Sequence, residues 1–292
     1  MDPRRLELLL ELSRLGSMRE VAEVTGLATS TVSQQLAVLA KEAGTVLIEP
    51  EGRRVRLTPA GQRLAGHAVT VLAALDAARA DLDPSSDPAG DVRVASFATA
   101  IRGTLLPVVR ALDADHPDVR LLIHEHEPFE ALDLLAGDDV DLALTYDYNL
   151  APATFDRTVD ARPLWQTAWS LGVPASRVVD TGDAVEVIAR FADDDWIVNS
   201  RNTADEDVVR TLASMAGYVP RVTHRADSLG LVEDMISAGL GVGLLPAGQT
   251  TNHDVALCPL LGPDVVLRSY TVTRRGRTDW PPLALVLRLL TG

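Results

Sequence analysis

Cysteine and aromatic side chains are scarce in this chain, and each scarcity excludes something. A single cysteine, Cys258, in 292 residues rules out an intramolecular disulfide and fits a reducing compartment such as the cytoplasm. It lies in the segment ALCPL (256–260) with no basic neighbour to lower its pKa, so it reads as a buried structural thiol and not a redox switch. Phe, Trp and Tyr together make up only 4% of the residues, so most of the core has to be Leu, Val and Ala. No run of about 18 uncharged apolar residues occurs, so no membrane span is expected. Glu7 and Glu11 interrupt the apolar start of the chain, so no secretory signal is expected either. What remains, 47% apolar and 23% charged, is ordinary for a soluble globular protein of about two domains.

The formal charge of −14 argues against nucleic acid until it is divided along the chain. Residues 1–65 hold nine Arg or Lys against eight acids, a net of +1, and the rest of the chain carries −15. A near-neutral segment with clustered arginines is therefore joined to an acidic body, which removes the objection to a DNA-binding head.

The most informative stretch is residues 17–36, SMREVAEVTGLATSTVSQQL. Before it, Leu8, Leu12 and Leu15 mark an amphipathic helix that Gly16 ends. Ser17 followed by Glu20 is a capping box for a second helix, with Met18, Val21 and Ala22 inward and Gly26 at its end. A third helix is expected to start near Thr29 or Ser30, both good N-caps. Its inward face is Val32, Leu36 and Leu39, and its opposite stripe is Ser30, Ser33, Gln34, Ala37 and Lys41. Two short runs, Val46–Ile48 and Arg54–Leu57, flank Pro50-Glu51-Gly52-Arg53 like the wing of a winged helix. In such a fold the third helix enters the major groove. Thr29, Ser30, Thr31, Ser33, Gln34 and Gln35 would then reach bases, with Lys41, Arg53 and Arg54 on phosphate.

Thr58-Pro59 starts a helix of about 24 residues. Leu64, Ala68, Val71, Leu75, Ala78 and Leu82 form a narrow heptad seam on it, which suggests dimerisation. DLDPSSDPAG (81–90) is a linker by composition. Strands and helices then alternate. Strands are expected at 92–95, 119–123, 140–144, 196–198 and 242–245, and helices at 105–112, 129–135, 206–216 and 229–238, an α/β pattern.

His124-Glu-His126-Glu offers two imidazoles, too few for a structural zinc site, and no further ligand motif completes it; it reads as a polar strand edge before Pro128, and no metal is expected. Gly239-Leu-Gly241-Val-Gly243 follows a helix and opens a strand, the reverse of a dinucleotide loop, so no cofactor is expected. No nucleophile motif points to an enzyme. Two polar loops do follow strands: Ser96-Phe-Ala-Thr99-Ala-Ile-Arg102-Gly103 and Asn199-Ser200-Arg201-Asn-Thr203. Strand ends of an α/β sheet are where ligands sit, and the two loops suit a small molecule held between lobes. Arg102 and Arg201 suggest that it is a carboxylate or other anion.

Taken together, these residues resemble a LysR-type transcriptional regulator. Residues 6–65 carry Gly16-Ser17, Val21-Ala22, Val32-Ser33, Leu39, Gly44, Leu47 and Arg53…Val55…Leu57-Thr58-Pro59-Ala60-Gly61 at that family's spacings. The body carries Gly90-Asp-Val-Arg-Val94, Leu106-Pro107, Gly137…Asp141-Leu-Ala-Leu144, Ala216-Gly217-Tyr-Val-Pro220 and the Ala238–Pro246 segment. The chain departs from the family at Leu47-Ile48-Glu49-Pro50, where Leu-Phe-x-Arg is frequent, at Val21, where alanine is commoner, and at Ala40, where glutamate is.

The resemblance implies a winged helix-turn-helix in residues 1–61, a linker helix in 58–82, a linker in 83–90 and a bilobal Rossmann-like effector domain of the type 2 periplasmic-binding-protein kind in 91–292. Lobe 1 would span about 91–162 plus 268–292 and lobe 2 about 163–267, joined by strands crossing near 148–162 and 265–271. It implies a cytoplasmic homodimer or homotetramer on promoter DNA, modulated by a small-molecule effector. Ser96, Thr99, Arg102, Thr145, Tyr146, Asn199, Ser200 and Arg201 are the effector-site candidates. A solute-binding module shares the bilobal body but would lack a DNA-binding head, and an α/β enzyme would need a catalytic motif.

Overall fold

The computed structural model describes residues 1–51, 54–82, 87–179 and 182–291. Arg53 and linker residues 83–86 lie outside the described residues, and so does the side chain of Arg54. The head opens with α1 (Pro3–Leu15), α2 (Met18–Thr25) and α3 (Thr29–Ala43). Leu9, Leu12, Val21, Val32, Leu36 and Leu39 are buried together as its core. Ser17 caps α2 by accepting from Glu20 N, and Gly26 takes the left-handed conformation (φ 67°) that turns the chain toward α3. The cap of α3 differs from expectation. Ala28 occupies that position, with no side-chain hydrogen bond, and both Thr29 and Ser30 lie inside the helix and are exposed.

The wing is an antiparallel pair, β1 (Ile48–Glu51) and β2 (Arg54–Leu57), with Ile48 opposite Leu57 and Pro50 opposite Val55. Its first strand starts later than the apolar run suggests and takes Pro50 into the strand. A two-stranded ribbon leaves an open edge, where proline's missing N–H is tolerated. Thr58 then caps α4 (Pro59–Leu82), its Oγ1 accepting from Gly61 N at 3.1 Å. The heptad seam of α4 is divided in use. Its first half helps to close the head core through Leu64 and Ala68, whereas Val71, Ala78 and Leu82 remain exposed.

The body is a nine-stranded sheet in two lobes. Its strands are β3 (Gly90–Ser96), β4 (Val119–Glu125), β5 (Leu142–Tyr148), β6 (Val159–Pro174), β7 (Asp195–Val198), β8 (Arg221–Arg225), β9 (Val242–Pro246), β10 (Val255–Pro259) and β11 (Val266–Arg274). They run in the order β4-β3-β5-β11-β6-β9-β7-β8, with β10 also paired to β6. β3 is parallel to β4 and β5, and β7 is parallel to β8 and β9. Each parallel set is packed with helices. These are α5 (Ala98–Ala100), α6 (Leu106–Asp115), α7 (Pro128–Ala136) and α11 (Pro281–Thr291) around the first set, and α8 (Ala184–Ala189), α9 (Ala204–Met215) and α10 (Leu229–Ser237) around the second. A π-helical turn at Ile101–Leu105 joins α5 to α6, so the expected helix at 105–112 has an irregular first turn.

The lobes are joined by β6 and β11, paired antiparallel from Val159 opposite Arg274 to Ala168 opposite Val266. The first crossing strand therefore lies some ten residues beyond the segment expected at 148–162, and the second lies where expected. The glycine run at 239–243 has a packing role. At Gly241 a Cβ would lie 2.3 Å from the Asp195 carbonyl oxygen, so only glycine lets β9 enter beside β7.

Head and body meet across a charged contact. Asp138, at positive φ and with its carboxyl buried, accepts from Arg14 Nε of α1 at 2.8 Å and pairs with Arg274 at 3.2 Å. Beside it, Asp141 accepts a two-pronged bond from Arg93 (3.0 and 2.9 Å) and one from Arg277 (3.1 Å). Burial alone would raise the Asp141 pKa, but these guanidinium groups hold it below the usual carboxylate range. Replacing Asp138 with asparagine keeps a residue that tolerates positive φ and removes the charge facing Arg14 and Arg274. Asp138→Asn should cost about 1–3 kcal/mol, read as a lower urea midpoint at unchanged m-value. An unchanged midpoint would show that this contact does not hold the head.

Candidate functional site

On the head, most of the residues expected to reach DNA lie on one exposed face of α3. Thr29, Ser30, Ser33, Gln34 and Lys41 are exposed on α3, and Thr31 is half-buried beside them. Gln35 is turned away from this stripe, since its Oε1 accepts from Arg5 Nε of α1 at 2.9 Å. On the wing, Arg56 pairs with Glu49 at 2.6 Å.

The body holds a cavity of about 370 Å³ between the lobes, within the usual range for a small-molecule site. β6 supplies one wall. Residues at alternate positions of a strand share a face, which brings Trp165, Thr167 and Trp169 to the cavity together. Phe97 and Tyr146 complete an aromatic surround, with Phe97 edge-on to Tyr146 at 4.7 Å. Trp165 is fixed by donating from Nε1 to Thr104 Oγ1 at 3.0 Å. Tyr148 lies behind, edge-on to Trp169 at 5.5 Å.

The polar groups at the cavity are carboxylates more than cations. Glu127, Asp205 and Asp227 line it, and none of its described lining residues is Arg, Lys or His. Tyr146 donates its hydroxyl to Glu127 at 2.9 Å and accepts from Asn202 at 2.9 Å. Burial raises the Glu127 carboxyl even against that bond and the nearby Arg201. Burial also pushes Asp205 up to about 6; Tyr148 beside it favours the ion, whereas Glu127 and Asp227 oppose it. Neither Asp205 Oδ1 nor the Tyr148 hydroxyl closes a hydrogen bond of ordinary geometry. The Trp169 indole N–H is likewise buried without a partner. Asp227 behaves differently. Burial would raise it, but Ser200 N and Oγ and Arg201 N and Nε bond to it and hold it low.

Among the sequence candidates, Thr99, Tyr146 and Asn199 line the cavity, and the other five do not. Ser96 is buried and bonds to Phe97 O, and Thr145 is buried with its hydroxyl unpartnered. Ser200 serves Asp227. Arg102 is exposed and outside the lining. Arg201 stands among Asp227, Glu125 and Glu130, with which it pairs at 3.1, 3.4 and 3.4 Å. Neither arginine presents a free guanidinium to the cavity, although an anionic effector was inferred from both. Sequence reasoning missed Glu127, Asp205, Trp165 and Trp169. The one available signal was the His124-Glu-His126-Glu127 run, weighed only for its imidazoles.

Comparisons with known proteins cover the whole length. Residues 3–62 match the family described as bacterial regulatory helix-turn-helix protein, lysR family, and residues 85–292 match the LysR substrate binding domain. The transcriptional dual regulator GltC of Bacillus subtilis is 27% identical over 270 residues, covering 91% of this chain and 88% of GltC. The HTH-type transcriptional regulator CysB of Haemophilus influenzae is 27% identical over 234 residues, covering 77% of this chain and 69% of CysB. In fold, the chain is similar to a full-length OxyR variant of Pseudomonas aeruginosa, with a TM-score of 0.74 at 18% identity over 99% of this chain and 94% of that one. It is also similar to full-length CbnR complexed with its target DNA, with a TM-score of 0.53 at 19% identity over 99% and 98%.

The raised Asp205 carboxyl has a consequence for stability. Its pKa rises from 3.8 to about 6 on folding, so the folded chain binds this proton more tightly than the unfolded chain does. Its contribution is therefore fully present below about pH 4 and is lost as pH rises to about 6. The partial positive charge at the start of α9 offsets part of the burial cost. Asp205→Asn should stabilise the protein by roughly 1–2 kcal/mol near neutral pH, and the gain should vanish near pH 4. Thermal unfolding at both pH values checks this, and an Asn variant less stable than wild type at neutral pH would refute it.

Proposed function

The chain belongs to the LysR family of bacterial transcriptional regulators, and from that premise we propose how its parts divide the work. It is a DNA-binding regulator with an effector-binding body. In our reading, α3 enters the major groove of promoter DNA, Lys41 and the wing arginines Arg53 and Arg54 meet phosphate, and a small molecule in the interlobe cleft adjusts the grip. The observation that carries this is the α3 stripe. Thr29, Ser30, Ser33 and Gln34 are exposed on a helix whose other face is packed, and none of their side chains has a hydrogen-bond partner among the described residues. Gln pairs with adenine through two bonds, and Ser with several base edges.

Because the cleft shares its lining between two lobes, a ligand there bridges them, which supports the effector reading. The exposed half of the α4 seam, Val71, Ala78 and Leu82, supports a homodimer or homotetramer through that helix. A DNA-binding head docked on the body speaks against a solute-binding module. We read the chain as a regulator without catalysis, as its relatives are regulators by name, and as cytoplasmic, where its DNA would be.

Binding of the purified protein to its own upstream DNA should weaken steeply between about 50 and 200 mM salt. Ser33→Ala combined with Gln34→Ala should reduce preference for that site over unrelated DNA by about tenfold or more, with oligomeric state unchanged. Mobility-shift titrations with competitor DNA and sedimentation read the two outcomes. Preference surviving the double change would mean that α3 is not the reading helix, and no binding to the upstream region at low salt would overturn the regulator reading for this promoter.

A further inference from the structure

We propose that the interlobe cleft takes a small organic cation, an ammonium compound with an apolar body, and not an anion. This rests on the cleft being the effector site. Its lining has three carboxylates and no basic side chain among the described residues. Of these, only Asp227 is matched with a cation, Arg201. Glu127 is held by the neutral Tyr146 hydroxyl, and the buried Asp205 carboxyl has only the neutral Tyr148 hydroxyl beside it. A buried carboxylate with no cation paired to it is costly, and an ammonium group in the cleft supplies the missing positive charge.

The walls agree with the floor. Trp165, Trp169, Phe97 and Tyr146 surround the same space. Aromatic faces attract a desolvated cation, and clustered aromatics are a known way to hold ammonium groups. The chain has only twelve Phe, Trp and Tyr residues, so four at one cavity is a concentration that the composition does not explain. The volume of about 370 Å³ holds roughly a dozen water-sized groups.

Two features that favour an anion elsewhere are already spent on the protein's own acids. The positive end of α9 carries Asp205, Glu206 and Asp207 in its first turn. Arg201 is shared among Asp227, Glu125 and Glu130. An incoming carboxylate would have to displace these pairs and sit against Glu127.

The charged and titratable groups around Asp205 are Tyr146 and Tyr148 on β5, Glu127 at the start of α7, Asp227 ahead of α10 and Arg201 ahead of α9. With Asp205 titrating at about 6, a cation should bind best above that pH. A matched set of probes tests the proposal: 2-phenylethylammonium, 2-phenylethanol and phenylacetate, titrated against the full chain by tryptophan fluorescence and calorimetry. Near pH 7.5 the ammonium probe should bind at least about tenfold tighter than phenylacetate, and it should weaken about tenfold near pH 5.

Asp205→Asn and Glu127→Gln should each weaken the ammonium probe by about tenfold or more. The first is expected to be the more stable protein, so its loss of binding would not be misfolding. Phenylacetate binding as tightly as the ammonium probe, unchanged ammonium affinity in both variants, or no ammonium binding up to about 10 mM would each overturn the proposal. Promoter binding measured on the same wild-type preparation reports separately on the regulator reading.

Discussion

The antiparallel pairing of β6 with β11 is the constraint on which the rest of the body depends. Each lobe has its own parallel strands and helices, and the lobes share one continuous sheet only because these two strands cross between them. A cleft between otherwise separate lobes is the geometric result. The same pairing builds the cleft's wall. Trp165, Thr167 and Trp169 lie on one face of β6, and Leu267 joins them from β11. The strands that hold the lobes together thus also touch whatever sits between them, and a ligand there bears directly on the lobe-to-lobe connection.

The head was the most legible part of the sequence because its signals are local. Ser17 with Glu20, Gly26 and Thr58-Pro59 each act within a few residues, and each stands where the sequence put it. The α/β alternation was legible for the same reason where a strand is a short apolar run, as in β3, β5, β7 and β9, whereas the polar β8 was not foreseen. The errors fell where distant partners decide. The first crossing strand was misplaced because pairing with β11, about a hundred residues away, extends it through polar residues such as Asp160, Arg162 and Gln166. The α4 seam looked uniform in sequence, yet the head core claims its first half and leaves the second.

The cleft was harder still. Loop composition pointed to Thr99 and Asn199, which follow strands, whereas Tyr146, near the end of β5, came from the family resemblance. Asp205 reads in sequence as an ordinary first-turn acid of a helix, and only the fold buries it against Tyr148 and Glu127. Arg201 misled for the opposite reason. A lone arginine in a polar loop suggests an anion, but three acids distant in sequence converge on it. The charge of a site is a property of its tertiary neighbours, and no local window contains it.

One strand, β5, brings the two ends of the molecule into a single element. Asp138 and Asp141, just before it, receive Arg14 of the head together with Arg93, Arg274 and Arg277. Tyr146, near its other end, donates to Glu127 in the cleft. Five residues separate Asp141 from Tyr146, about 17 Å along an extended chain. β5 is buried along its whole length, paired with β11 from Ala143 to Tyr148 and with β3 at Leu142–Leu144. A buried strand paired along its length with β11 resists bending, so displacement at the Tyr146 end is carried along the strand instead of being absorbed within it. The head's anchor and the ligand cavity are therefore set in the same rigid piece of the sheet, and the polar contacts at each of its ends are charged bonds whose strength depends on small changes in distance.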